Sequence, residues 1–83
     1  MQLSDYISLQ GPVERRGNRL VFRVPLEVGG ERLRTVARAI SYEEDGDLVL
    51  VLPEWLATRM DLHEGAGVHV DDRWGKLNIT RLH

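Results

Sequence analysis

Leu20, Phe22, Val24, Leu26 and Val28 occupy every second position of the run from Arg19 to Val28. A period of two sends alternate side chains to opposite faces of an extended chain, so this run predicts a strand with one apolar face. The constraint is strong, because a slip of one residue would turn every one of these side chains to the wrong face. Gly29-Gly30 follows. Two glycines suit the positive φ of a primed two-residue turn, so residues 31–40 are expected to return as the second strand of a hairpin. That register sets Val28 opposite Glu31, Leu26 opposite Leu33, Val24 opposite Thr35, Phe22 opposite Ala37 and Leu20 opposite Ala39. The other face then carries Arg19, Arg23, Arg32, Arg34 and Arg38, with Glu27 across from Arg32 as a cross-strand ion pair.

The rest of the chain reads as further strands and one helix. Tyr6 to Leu9 predicts a short strand ended by Gly11-Pro12, since proline donates no backbone hydrogen bond and restricts its predecessor. Residues 43–47, EEDGD, predict an acidic turn. Leu48 to Leu52 is apolar on both faces, which fits a central strand covered on both sides. Pro53 suits the first position of a short helix, and Glu54 suits the positive end of its dipole. Leu56 and Met60 stand four apart on one face, Leu62 lies just beyond, and the helix should end near Met60 or Asp61. Val68 and Val70 alternate with His69 and Asp71, DDRWGK turns the chain, and Leu77 and Ile79 mark a last strand.

The expected fold class is therefore α+β, mainly antiparallel β hairpins with one short helix. Residues 1–83 form one domain, with a basic hairpin half over 1–42 and a strand–helix–hairpin half over 46–83. Strands 20–28, 48–52, 68–70 and 77–79 are expected to build the core with Leu56, Met60 and Leu62. Trp55 is expected to join that core, whereas an exposed Trp74 would mark a contact surface. At 83 residues a domain buries only about 60% of its unfolded surface, so a homodimer is expected.

Charge narrows the function. Residues 1–40 carry seven arginines and four carboxylates (Asp5, Glu14, Glu27 and Glu31), a net of +3. Residues 41–83 carry Arg59, Arg73, Lys76 and Arg81 against nine carboxylates, a net of −5. Such asymmetry marks a nucleic-acid face, two patches that meet across a dimer, or surface variation. The absence of cysteine excludes disulfides, thiolate zinc sites and a cysteine nucleophile. No apolar run approaches the roughly 20 residues of a membrane helix. The opening MQLSDYISLQ lacks a basic segment followed by an apolar one, so no signal peptide is expected and a cytoplasmic location is the default. His63, His69 and His83 have no ligand spacing, so neither a metal nor another cofactor is expected. Ser4, Ser8 and Ser41 lack a nucleophile motif, and neither VGGERL nor EGAGVHV matches a phosphate-binding loop, so no enzyme is expected.

Two stretches resemble one family. In residues 52–79 the pattern runs through Leu52, Pro53, Leu56, Met60, Leu62, Gly65, Val68, Val70, Leu77 and Ile79. In residues 16–25 it runs through Arg16-Gly17-Asn18, Leu20 and Arg23-Val24-Pro25. Both resemble the AbrB/MazE-type swapped-hairpin proteins, small dimeric bacterial DNA-binding domains that include transcription regulators and antitoxins. The resemblance implies a small swapped-hairpin barrel, and a DNA role for Asn18 and Arg23 with Arg16 and Arg19 beside them. The chain departs from the pattern where Ala57 and Ala66 replace a basic residue and an aspartate, and where 28 residues separate Pro25 from Pro53. GNRLVFRVP is echoed by GDLVLVLP, with glycine-to-proline distances of eight and seven.

The leading expectation is a DNA-binding transcription regulator or antitoxin-like protein. A two-stranded ribbon fits the major groove, where arginine bonds guanine, and spare arginines pair with phosphates. Arg15, Arg16, Asn18, Arg19, Arg23, Arg34 and Arg38 are the candidate contacts. The alternative is a non-enzymatic interaction module whose basic face meets an acidic protein surface. That surface could be the chain's own acidic turn, Glu43 to Asp47, or the turn of a second subunit.

Overall fold

The computed structural model describes residues 6–83; Ser4 and Asp5 lie outside them. Among the described residues, seven strands form two antiparallel sheets. Strands β1 (Ser8–Pro12), β6 (Gly67–Asp71) and β7 (Asn78–Arg81) make a three-stranded sheet in the order β1-β6-β7. Strands β2 (Glu14–Arg16), β3 (Arg19–Pro25), β4 (Ser41–Glu44) and β5 (Asp47–Leu52) make a four-stranded sheet in the order β2-β3-β5-β4. Helices α1 (Gly30–Val36) and α2 (Glu54–Arg59) follow β3 and β5. The α+β class holds. Among the described residues the two sheets remain separate, and no closed barrel forms.

The hairpin expected across Gly29-Gly30 does not exist. Pro25 ends β3, a single 3₁₀ turn spans Leu26–Val28, and α1 begins at Gly30. Arg19–Pro25 pairs instead with β2 on one side and β5 on the other. The competing signal was in the same residues. Leu33, Val36, Ala37 and Ile40 follow helical spacing as well as Leu33, Thr35, Ala37 and Ala39 follow strand spacing. Leu33 and Ala37 are buried against the four-stranded sheet. The glycines serve a different purpose. Gly29 holds φ at 110°, a left-handed bend that ends the 3₁₀ turn. A Cβ on Gly30 would meet the Val24 and Pro25 carbonyl oxygens at 3.0 and 2.9 Å, so only glycine lets the helix start this close to β3.

Several smaller expectations shift. The first strand runs Ser8–Pro12 and includes the glycine and proline expected to end it. Pro12 is tolerated because β1 is an edge strand. Pro53 is extended and precedes α2 rather than opening it. Trp55 is 63% exposed rather than core. Leu62 is buried, and Met60 is half-buried against the core.

The core lies between the sheets. Leu20, Phe22 and Val24 of β3 and Leu48, Leu50 and Leu52 of β5 face Val68 and Val70 of β6. A Cβ on Gly11 would sit 3.2 Å from the Phe22 ring, so β1 lies directly over it. Val13 joins the two sheets: its N–H donates to Ala66 O at 2.9 Å, and its carbonyl accepts from Gly65 N–H at 2.9 Å.

The four-stranded sheet has an internal pseudo-two-fold. Adding 28 to the pairs Glu14↔Val21, Arg15↔Leu20 and Arg16↔Arg19 gives Tyr42↔Val49, Glu43↔Leu48 and Glu44↔Asp47, which are the observed β4–β5 pairs. The axis passes through Phe22↔Leu50, and the same shift carries Pro25 onto Pro53. Gly17-Asn18 then overlies Asp45-Gly46. The glycine stands first in one turn and second in the other, which explains the unequal glycine-to-proline distances.

Because Phe22 and Leu50 meet at this axis, Leu50→Ala is expected to lose about 2–5 kcal/mol of stability in urea unfolding. Val28→Ala, at an exposed position, is expected to change it by no more than about 0.5 kcal/mol. Equal midpoints for the two variants would place the core's centre elsewhere.

Candidate functional site

The outer face of the four-stranded sheet gathers most of the predicted site. The pairing registers put Glu14, Arg16, Arg19, Val21, Arg23, Tyr42, Glu44, Asp47, Val49 and Val51 on it. Val21 is 2% and Val49 0% exposed although no second layer of strands covers them. Tyr42 and Arg23 stand on either side of Val49 across the sheet, and long side chains of this kind can cover an apolar neighbour while their polar ends reach water.

Carboxylates already occupy several of the seven candidate residues. Arg23 donates from Nε and Nη2 to Asp47 Oδ2 at 3.1 and 2.8 Å, and from Nη1 to Glu44 Oε1 at 2.9 Å. Arg16 bonds Glu44 and donates to the Tyr42 hydroxyl at 3.2 Å. Arg34 sits on α1 rather than on a ribbon and is held by Glu31 and Glu43. Arg15 approaches Glu64 only loosely, at 3.8 Å. Arg32 pairs with Asp72 at 2.8 Å rather than with Glu27. The acidic surface sought for the basic face is thus, for Arg16, Arg23 and Arg34, the β4–β5 hairpin of the same chain. These contacts set proton affinities. Asp47, then Glu44, raises the Arg23 guanidinium. Arg16, then Arg23, holds the Glu44 carboxyl below its ordinary value.

Arg19 and Arg38 differ. Neither has a carboxylate within ion-pair distance among the described residues. Arg38 lies in the 3₁₀ turn before β4, not on a strand facing Arg19. The fold nevertheless brings the two to neighbouring surface depressions. Arg19 lines one with Ile40, Val51 and Pro53, and Arg38 lines the other with Arg34 and Glu43. Ser41 and Tyr42 line both, and Tyr42 is 41% exposed. Asn18 is exposed in the β2–β3 turn.

The fold brings together two further clusters whose members the sequence did not group, although Trp74, expected to mark a contact surface if exposed, is exposed. Ser8 Oγ lies within hydrogen-bond reach of His69 Nε2 across β1 and β6. His69 Nδ1 is 3.6 Å from Asp71 Oδ2, too long for the hydrogen bond that would orient the imidazole. Among the described residues no group of three or more His, Cys, Asp or Glu side chains could hold a metal ion, and no helix is long and apolar enough to cross a membrane. The second cluster surrounds Trp74, which is 78% exposed beside Arg73, Tyr6 and Arg32. The period-two reading could not find it, because Tyr6, Arg32 and Trp74 are far apart in the chain. Comparison with family models, with curated proteins and with solved structures found no match.

Glu44 yields a pH test. Its folded value lies below the ordinary 4.5, so the unfolded chain binds its proton more readily. Its contribution to stability is complete above that ordinary value and is lost as pH falls through the lower folded value. Urea unfolding of the parent protein across this acid range should show the loss, and Glu44→Gln should remove that part of the pH dependence. Identical pH profiles for the two would mean that Arg16 and Arg23 do not hold the carboxylate.

Proposed function

We propose that this chain is a non-enzymatic DNA-binding protein, a transcription regulator or antitoxin-like protein. Its contact surface is the Arg19–Tyr42–Arg38 edge of the four-stranded sheet rather than a five-arginine ribbon. The observation that carries this reading is the placement of two arginines without carboxylate partners, Arg19 and Arg38, on depressions that share the exposed Tyr42. A guanidinium with no internal carboxylate is available to a phosphate, whereas Arg23 would first have to give up Asp47 and Glu44. Asn18 at the adjoining β2–β3 turn extends the contact, whereas Arg15, paired with the inward Leu20, belongs to the other face of the sheet. The resemblance of residues 16–25 and 52–79 to AbrB/MazE-type proteins supports DNA as the nucleic acid.

Mechanism in this reading is electrostatic. Arg19 and Arg38 neutralise backbone phosphates and release counterions, and Tyr42 offers a hydroxyl and a ring edge beside them. Arg16, Arg23 and Arg34 position the surface by tying β4 and α1 in place.

Anisotropy of a labelled mixed-sequence duplex, titrated at several salt concentrations, tests the proposal. Two phosphate contacts contribute about 2 to the slope of log affinity against log salt. Arg19→Ala with Arg38→Ala is expected to lower the slope by that amount and weaken binding at every salt. Arg23→Ala is expected to lower stability and leave the slope nearly unchanged. Duplex binding that ignores the loss of Arg19 and Arg38, or no binding at low salt, would sink the reading.

A further inference from the structure

Trp74 is displayed by a locked turn. Its backbone holds φ at 63° and ψ at 24°, a left-handed conformation unfavourable for a bulky side chain. The turn keeps it there. Asp71 Oδ1 accepts from Arg73 N–H at 3.1 Å and from the Asn78 amide at 2.8 Å. The same amide donates to the Arg73 and Lys76 carbonyls at 3.0 and 3.1 Å. Asp72 O accepts from Gly75 N–H at 3.1 Å. Burial pushes the Asp71 carboxyl up, but the bonds from Asn78 and Arg73 outweigh it and hold the group below its ordinary value. The result is a large indole held in solvent by a rigid support.

Two guanidinium groups stand beside it. Arg73 lies 4.1 Å above the Tyr6 ring and 5.3 Å from the Trp74 ring. Arg32 is aimed by a buried carboxylate. Asp72 Oδ2 accepts from Arg32 Nε at 2.8 Å, while its other oxygen takes the Ile7 N–H at 2.7 Å. With Nε fixed, the two Nη groups of Arg32 have no ion-pair or hydrogen-bond partner among the described residues beyond that contact. Tyr6, Arg32, Asp72, Arg73, Trp74 and Gly75 line one depression of about 580 Å³.

We propose that this corner binds an unpaired nucleotide of single-stranded nucleic acid, with its base stacked on Trp74 and its phosphate on Arg32 and Arg73. A flat exposed ring selects a planar partner, and two guanidinium groups select an anionic one. Single-stranded nucleic acid offers both at nucleotide spacing, and stacking is tolerant of base identity. A duplex keeps its base faces stacked internally and cannot use the indole this way. The site uses none of the residues assigned above to duplex binding, so either proposal can fail alone.

The probe is an eight-residue oligothymidylate. In a Trp55→Phe background, Trp74 is the sole tryptophan, and its fluorescence is expected to quench saturably. Trp74→Asn tolerates the left-handed backbone, and by anisotropy of labelled oligothymidylate it is expected to weaken binding roughly tenfold or more. Arg32→Ala is expected to weaken binding and lower the salt slope by about 0.7, the value for one phosphate of a single strand. Circular dichroism on both variants checks that the fold is kept. The proposal is overturned by absent quenching, by unchanged affinity in Trp74→Asn and Arg32→Ala, or by binding lost only with Arg19 and Arg38. The last outcome would move the single strand to the duplex surface.

Discussion

The antiparallel contact between β3 and β5 holds this structure together. Phe22 and Leu50 meet at its centre, and the pairs Leu20↔Leu52 and Val24↔Leu48 flank them symmetrically. Each of these two strands belongs to its own hairpin, so their junction joins two local units into one sheet. It also sets the inner face that receives Leu33, Val68 and Val70. Without it, each two-stranded hairpin would be marginal in water.

Charge follows the same symmetry with its sign reversed. The 28-residue shift carries Arg15, Arg16 and Arg19 onto Glu43, Glu44 and Asp47. A pair of like first halves would set arginines near arginines, whereas the actual pairing sets Arg16 beside Glu44 and Arg23 beside Asp47 and Glu44. The opposite net charges of the two halves are therefore satisfied largely within the chain. Among the arginines expected at the duplex surface, this arrangement ties up Arg16, Arg23 and Arg34 and leaves Arg19 and Arg38 without a carboxylate among the described residues. The exposed Arg16–Glu44 pair adds little stability, while the Arg23 pairs are partly buried; together they favour this pairing over others of similar hydrophobic content.

Local signals in the chain were legible where one pattern acted alone. The β3 alternation placed Leu20, Phe22 and Val24 inward, and the apolar run Leu48–Leu52 proved central. The helix after Pro53 and the final alternation around Val68 and Val70 also stand. Residues 29–40 failed because strand and helix spacing overlap there and a glycine pair serves both a turn and a tight helix start. Trp55 failed for another reason: its place in the first turn of α2 says nothing about which side of that turn meets the core.

The candidate site divides the same way. Sequence alone determined that arginines would crowd the outer side of β3, because a strand's period of two needs only its own residues. It also determined the acidic turn at residues 43–47, though not the strand Ser41–Glu44 that makes this turn the tip of a hairpin. Only the tertiary structure decided that this hairpin would lie beside β3, which arginines it would engage, and that Arg19 and Arg38 would flank Tyr42. It alone brought Tyr6, Arg32 and Trp74 to one corner. The physical reason is range. Strand, turn and helix preferences depend on neighbours a few residues away, whereas ion pairs and surface sites depend on which distant segments the closed core sets side by side.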